Sequence, residues 1–229
     1  MEVIILVGGL GTRLSHIVKD VPKPMAPVGD VPFLVHVFEY LLKFEVKRVV
    51  LATSYKTEII EGFLGNNYKG IGISYSIETE PLGTGGGIKK ALTCCSREDV
   101  CVLNGDTYFN VDLIEMQKYH KKNNAILTVA LKKMYNFDRY GTVEVDGNSI
   151  VKFNEKKKEK EGYINGGIYF IKRDSLNGIN EKVFSFEKNY LEKFVLEGLF
   201  KGFISDGYFI DIGVPEDYYR ANNELKLKK

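Results

Sequence analysis

The residues best suited to chemistry stand near the start of the chain. Gly8-Gly9-Leu10-Gly11-Thr12-Arg13-Leu14 follows the apolar run Glu2 to Val7 directly, and Val21-Pro22-Lys23-Pro24 comes shortly afterwards. A strand that feeds a glycine loop presents backbone N–H groups to a phosphate, and an arginine and a lysine beside it can neutralise a triphosphate. Together these residues read as a nucleotide site. Two familiar patterns fit poorly. A P-loop requires lysine followed by serine or threonine after its second glycine, which this loop lacks. The dinucleotide fingerprint needs a third glycine where Leu14 stands. The same glycines would also serve a tight strand-to-loop turn, but Arg13 and Lys23 lie near one strand end, where open α/β sheets place their ligands.

The elements that must position these residues alternate between strand and helix. Glu2 to Val7 predicts a strand covered on both faces. Pro22, Pro24, Pro27 and Pro32 predict an extended loop over residues 20 to 32. Helical spacing runs from Phe33 to Phe44, from Thr57 to Leu64 with a stop at Gly65, from Gly86 to Thr93, and from an Asp112 cap to Lys122. Between them Arg48 to Thr53, Ile71 to Ile77, Val100 to Asn104 and Ala125 to Leu131 read as strands.

Beyond about residue 138 the rhythm turns to β. Tyr140 to Val145 and Ser149 to Asn154 flank the hairpin signal Asp146-Gly147-Asn148, and Ile164 to Ile171 follows as a strand. Ser185 predicts a cap for a helix to about Leu199, Phe203 to Asp211 holds two short strands, and Pro215 opens the last helix. The expectation is an α/β, Rossmann-like, mostly parallel mixed sheet with helices on both faces and a small β-rich lobe. No linker or repeat divides the chain, so residues 1–229 read as a single domain, with 1–137 mainly nucleotide-binding and 138–229 mainly a substrate-facing and C-terminal part.

Composition limits the partners. The chain has 229 residues, 44% of them hydrophobic, enough for a full core. Its 32 Lys+Arg nearly cancel 30 Asp+Glu, leaving +2, which argues against a nucleic-acid wrapper. Lys156-Lys157-Lys158 and the stretch from Lys226 to Lys229 read as solvated surface. Cys94, Cys95 and Cys101 match no metal or disulfide spacing and read as reduced thiols of a cytoplasmic protein. The N-terminus lacks the basic region of a signal peptide, and no apolar run reaches the ~18 residues of a membrane helix.

One set of blocks, in order along the chain, resembles the sugar-1-phosphate nucleotidylyltransferases. The glycine loop with Pro22-Lys23-Pro24 is joined by Glu80-Pro81-Leu82-Gly83-Thr84-Gly85-Gly86, Leu103-Asn104-Gly105-Asp106 and Tyr140-Gly141. Phe153-Asn154-Glu155-Lys156, Asn165-Gly166-Gly167-Ile168-Tyr169 and Ile210-Asp211-Ile212-Gly213-Val214-Pro215-Glu216-Asp217-Tyr218 complete the set. This resemblance implies the nucleotide-diphospho-sugar transferase fold and transfer of a nucleotidyl group from a nucleoside triphosphate to a sugar 1-phosphate. The version Glu78-Thr79-Glu80-Pro81-Leu82-Gly83-Thr84 is most similar to the guanylyltransferases, those acting on a manno-heptose 1-phosphate above all. GTP is therefore the expected donor, for bacterial capsule or other surface polysaccharide. The alternatives are mannose 1-phosphate as acceptor, or uridylyl or thymidylyl transfer to a hexose 1-phosphate.

The resemblance also assigns roles. Arg13 would bind the triphosphate and stabilise the departing pyrophosphate, and Lys23 would hold the reacting phosphates in line. Gly8, Gly9, Gly11, Thr12, Gly83, Thr84 and Asn104 would line the nucleotide. Gly141, Glu155, Lys156 and Asn165 would meet the sugar phosphate. Asp106 and Asp211 would hold Mg2+, which takes one or two carboxylates and completes its shell with water and phosphate oxygen. Taken alone, either aspartate is also what a turn or cap would carry. Asp217 and Glu216 read as helix-start residues, and His16, His36 and His120 as surface or scaffold. A homo-oligomer is compatible with the family. The chain departs from its relatives at Lys157, where proline is common, and at Ser15-His16-Ile17. It is expected to lack the C-terminal β-helix of larger relatives.

Overall fold

The computed structural model describes residues 1–9, 14, 17–18 and 21–226. Its centre is a 10-stranded sheet. From one edge to the other run Gly141–Asp146, Ser149–Lys156, Phe200–Ile204, Leu127–Phe137, Glu159–Lys172, Asp99–Asn104, Glu2–Leu6, Arg48–Thr53, Ile71–Ile77 and Asn67–Tyr68. The β-branched run Glu2–Leu6 lies in the interior and pairs in parallel with both Arg48–Thr53 and Asp99–Asn104. Successive side chains of a strand point to opposite faces, so Val3 and Ile5 enter one apolar cluster while Ile4 enters another. Helices Phe33–Leu41, Thr57–Leu64 and Leu113–Lys122 contribute to the first cluster. Helix Gly83–Leu92 contributes Ile88, Ala91 and Leu92 to the second.

Parallel pairing is concentrated in the half of the sheet that carries the glycine loop. In the other half Glu159–Lys172 runs antiparallel to both Asp99–Asn104 and Leu127–Phe137. The expected β-rich lobe is continuous with the main sheet: the hairpin strand Gly141–Asp146 pairs with Ser149–Lys156 and with the outer part of Glu159–Lys172. Through Phe200–Ile204 and Leu127–Phe137 those strands close a ring.

Several boundaries differ from expectation for identifiable reasons. Of the stretch expected to be extended, the described residues 21 to 32 are not extended throughout, because a 3-10 turn forms at Lys23–Met25 and short strands Pro27–Val28 and Val31–Pro32 pair with each other. Leu127–Phe137 and Glu159–Lys172 extend past the apolar runs that predicted them, carried by cross-strand pairing of partly exposed residues such as Lys133 and Tyr163. The helix expected from Ser185 to Leu199 winds successively as π, α and 3-10 and stops at Gly198, where φ is 73°. Among the described residues no helix is long and apolar enough to cross a membrane.

His120, on Leu113–Lys122, is buried against the sheet, with Nδ1 2.8 Å from Thr128 Oγ1 and Nε2 3.4 Å from Asp99 Oδ1. Burial holds its imidazole below the ordinary value of 6.5 in spite of the opposing pull of Asp99. The unfolded chain therefore binds a proton near pH 6.5 that the folded chain accepts only at lower pH, and folding stability falls as pH drops below about 6.5. The urea midpoint should decline on going from neutral to mildly acidic pH, and His120→Phe should flatten that part of the profile. Parallel wild-type and variant profiles would place the response elsewhere.

Candidate active site

The site is assembled at the ends of Glu2–Leu6 and Asp99–Asn104, which lie side by side with Leu6 opposite Asn104. Gly8 follows the first strand, and its carbonyl accepts a hydrogen bond from Ser54 Oγ at 2.6 Å. Gly9 beside it is exposed. Leu14, which breaks the dinucleotide fingerprint, is a core side chain at 1% exposure. Gly11, Thr12, Arg13 and His16 lie outside the described residues.

Asp106 and Asp211 are distant in sequence but close in space. After Asn104 the chain turns through Gly105 and Asp106 into the strand Thr107–Phe109, which pairs antiparallel with Phe209–Asp211 so that Thr107 faces Asp211. Ile212 N–H donates to the Asp106 carbonyl at 3.0 Å, and Gly213 N–H donates to Asp211 Oδ1 at 2.7 Å. Lys23 comes to the same place from the 3-10 turn Lys23–Met25, with Pro22 before it and Pro24 after it. Its Nζ donates to Asp106 Oδ2 at 2.5 Å and stands 3.9 Å from Asp211 Oδ1. Only 10% of the Lys23 side chain is exposed, against 35% for Asp106 and 25% for Asp211. Two hard carboxylates converge on one positive charge, and a divalent cation requires that kind of donor set.

The loop that carries Lys23 is fastened from afar. Tyr218 Oη donates to the Pro27 carbonyl at 2.7 Å, and Asn222 Oδ1 accepts from Gly29 N–H at 3.0 Å, both from the final helix Pro215–Glu224. His36 Nε2 lies 3.0 Å from the Val28 carbonyl, which gives this histidine a scaffold role. Asp217, 5% exposed, pairs with Arg139 and with Arg220 at 3.1 Å. Arg139 Nη2 also donates to Tyr140 Oη at 3.2 Å. Burial, reinforced by the Asp211 charge, pushes the Tyr140 phenol up to about 12, so it remains a neutral hydroxyl near pH 7.

A cavity of about 550 Å³ opens from the aspartates into the strand ring. Gly141, Glu155, Lys156 and Asn165 line it together with Thr84, Asn104, Tyr140, Asp106 and Asp211. The expected sugar-side residues are thus gathered on one wall. The hairpin register sets Gly141 across from Lys156, and Asn165 Nδ2 donates to Tyr169 Oη at 2.8 Å. Burial first, and then the charge of Glu187, pushes the Tyr169 phenol up.

The second glycine block behaves differently from the first. Helix Gly83–Leu92 starts three residues ahead of the expected Gly86, because the segment 182–186 packs onto its first turn. A Cβ on Gly85 would lie 2.2 Å from the Phe184 ring, and one on Gly86 would lie 2.5 Å from the Lys182 carbonyl. These glycines admit a neighbouring chain segment. Thr84 Oγ1 donates to Glu187 Oε2 at 2.9 Å and accepts from Phe186 N–H at 2.9 Å. Ser185, Glu187, Lys188, Leu191 and Glu192 complete the cavity wall. Sequence reasoning missed this wall, since no motif marks it and the only signal was the Ser185 cap.

A family model described as nucleotidyl transferase matches residues 2–228. The chain belongs to the nucleotidyl transferase family. It is similar to D-glycero-alpha-D-manno-heptose 1-phosphate guanylyltransferase of Aneurinibacillus thermoaerophilus, at 52% identity over 99% of both chains. The protein of the same description from Campylobacter jejuni is also 52% identical, over 96% of this chain and 97% of its own length. The crystal structure of HddC from Yersinia pseudotuberculosis complexed with GMP-PN superimposes with a TM-score of 0.88 at 37% identity, covering 98% of this chain and 99% of that one. The expected nucleotidyltransferase fold is therefore present.

One substitution tests the charge cluster. A Cβ on Gly213 would meet Asp211 Oδ1 at 2.8 Å and Lys23 Nζ at 3.0 Å, the mobile ends of side chains rather than backbone. Gly213→Ala should therefore fold with a Tm close to wild type while displacing the cluster. Its kcat should fall about tenfold or more, because small misplacements at a reacting centre are costly. Unchanged turnover would separate the cluster from the chemistry.

Proposed function

We propose that this nucleotidyltransferase transfers the guanylyl group of GTP to D-glycero-α-D-manno-heptose 1-phosphate, giving GDP-heptose and pyrophosphate. The observation that carries the reaction class is the convergence of Lys23, Asp106 and Asp211 near the ends of Glu2–Leu6 and Asp99–Asn104, with both aspartates lining the cavity. The base and the sugar are supported by the full-length likeness to heptose 1-phosphate guanylyltransferases. On this reading residues 1–229 work as one unit, the first part holding GTP and the later part the sugar. Handling of GTP favours the cytoplasm, and the product would feed capsule or other surface polysaccharide.

A sugar phosphate is already largely dianionic near neutral pH, since its second pKa is about 6. It therefore needs no general base. The obstacle is the approach of one anion to another, so positioning and charge neutralisation dominate. A phosphate oxygen of the sugar forms a bond to the α-phosphorus while the bond from that phosphorus to the bridging oxygen breaks, and pyrophosphate departs with the electron pair. Lys23, held by its flanking prolines and the clasp from the final helix, holds the α-phosphate and the incoming phosphate in line. Arg13, by family likeness, neutralises the leaving pyrophosphate. Gly141, Glu155 and Asn165 orient the sugar, and Lys156 reaches its phosphate.

Asp106 and Asp211 suit a magnesium ion, because two oxygen donors already converge on a cation there. Such an ion, when bound, supplies charge neutralisation at the α-phosphate. Lys23 would then exchange a carboxylate partner for phosphate oxygen.

Pyrophosphate release with each of four nucleoside triphosphates, crossed with heptose, mannose and glucose 1-phosphates, should be fastest with GTP and the heptose. Faster turnover of mannose 1-phosphate would favour the alternative acceptor. Lys23→Ala should lower kcat about 100-fold or more while changing the GTP Kd only a few-fold. Near-normal kcat would remove Lys23 from the mechanism.

A further inference from the structure

The wall formed by residues 182–192 contains none of the motif blocks read from the sequence, yet its Ser185, Glu187, Lys188, Leu191 and Glu192 line the same cavity as the sugar-side residues. Among the described residues five acidic ones line that cavity: Asp106, Glu155, Glu187, Glu192 and Asp211. Asp106 and Asp211 are engaged around Lys23. Glu155 sits on the hairpin strand Ser149–Lys156, where the ring of the sugar is expected. Glu187 and Glu192 stand on the 182–192 wall, and of the two Glu187 is the partly buried one.

Glu187 is also the more firmly held. Thr84 Oγ1 donates to its Oε2 at 2.9 Å, and Ser185 Oγ donates to the same oxygen at 3.1 Å. Each hydroxyl is itself fixed by accepting a backbone N–H, Thr84 from Phe186 at 2.9 Å and Ser185 from Lys188 at 3.2 Å. Both side-chain bonds fall on Oε2, and among the described residues none is donated to Oε1. The segment's π-helical winding over Phe186–Leu191 is a geometry enriched at functional sites. The charge of Glu187 is felt at Tyr169, whose hydroxyl Asn165 contacts. Glu187 therefore borders the sugar-side cluster and is a preorganised acceptor.

A manno-heptose differs from mannose by one further carbon with its hydroxyl, beyond the ring and away from the phosphate. Added hydroxyls are selected by placed hydrogen-bond partners, since an apolar pocket discriminates them poorly. We propose that Glu187 is the residue that selects the sugar, Oε1 accepting hydrogen bonds from the exocyclic hydroxyls of the heptose while Thr84 and Ser185 hold Oε2. This assignment rests on the heptose reading above. It also makes Thr84 a positioning residue that links the second glycine block to the sugar wall.

The test is a competition with GTP and an equimolar mixture of heptose and mannose 1-phosphates, read as the ratio of GDP-heptose to GDP-mannose. A ratio is independent of the fraction of enzyme that is folded, so a variant of low yield still reports. In Glu187→Gln the two hydroxyl donors hold the amide oxygen in the Oε2 position and leave an NH2 group where Oε1 was. Glu187→Gln and Glu187→Ala should each lower the ratio about tenfold or more relative to wild type. An unchanged ratio, whether or not total turnover falls, overturns the assignment and leaves the heptose reading intact. A wild type that yields no GDP-heptose overturns the heptose reading, and the assignment falls with it.

Discussion

A lysine side chain that is only 10% exposed stands between two carboxylates. Burying a lone ammonium would cost several kcal/mol, and the attraction of Asp106 and Asp211 offsets that cost. The same arrangement confines two negative charges that would otherwise repel each other. Most of the surrounding architecture meets this constraint: the crossed pairing of Thr107–Phe109 with Phe209–Asp211 brings the aspartates together, and the turn Lys23–Met25 delivers the lysine. A cluster balanced in this way is ready to exchange partners when phosphates arrive, because each new anion replaces an existing one.

Much of the nucleotide half was legible because local and tertiary preferences agree there. Arg48–Thr53, Ile71–Ile77 and Thr57–Leu64 occur with the expected bounds, and Asp112 caps its helix by accepting from Ile114 and Glu115 N–H. The discrepancies fall where packing overrides propensity. A glycine-rich stretch is a poor helix former, yet Gly83–Leu92 begins at the first of its glycines because their small size lets Phe184 and Lys182 close over them. The charged ends of the long strands are held by neighbours rather than by an apolar pattern. Lys23 forms part of a tight turn where prolines alone suggested extended chain.

The site divides along the same line. Blocks that meet the glycine loop or the aspartates were visible because their chemistry demands particular residue types at fixed spacing. The wall from 182 to 192 was not, because its contribution depends on which segment the glycines admit, a fact of three-dimensional packing. Asp217 was read as a helix-start residue, and the structure adds an indirect role, since through Arg139 it steadies the hydroxyl of Tyr140 at the cavity. Each wall of the cavity is thus braced by residues remote from it in sequence.

The clasp on the lysine loop imposes an order of events. Tyr218 lies 191 residues beyond Pro27, the partner whose carbonyl it secures, and Asn222 lies 193 residues beyond Gly29. Synthesis runs from the N-terminal side, so Lys23 is made well before Tyr218 and Asn222, which hold its loop in place. The lysine therefore gains its fixed setting only once the final helix has formed and docked.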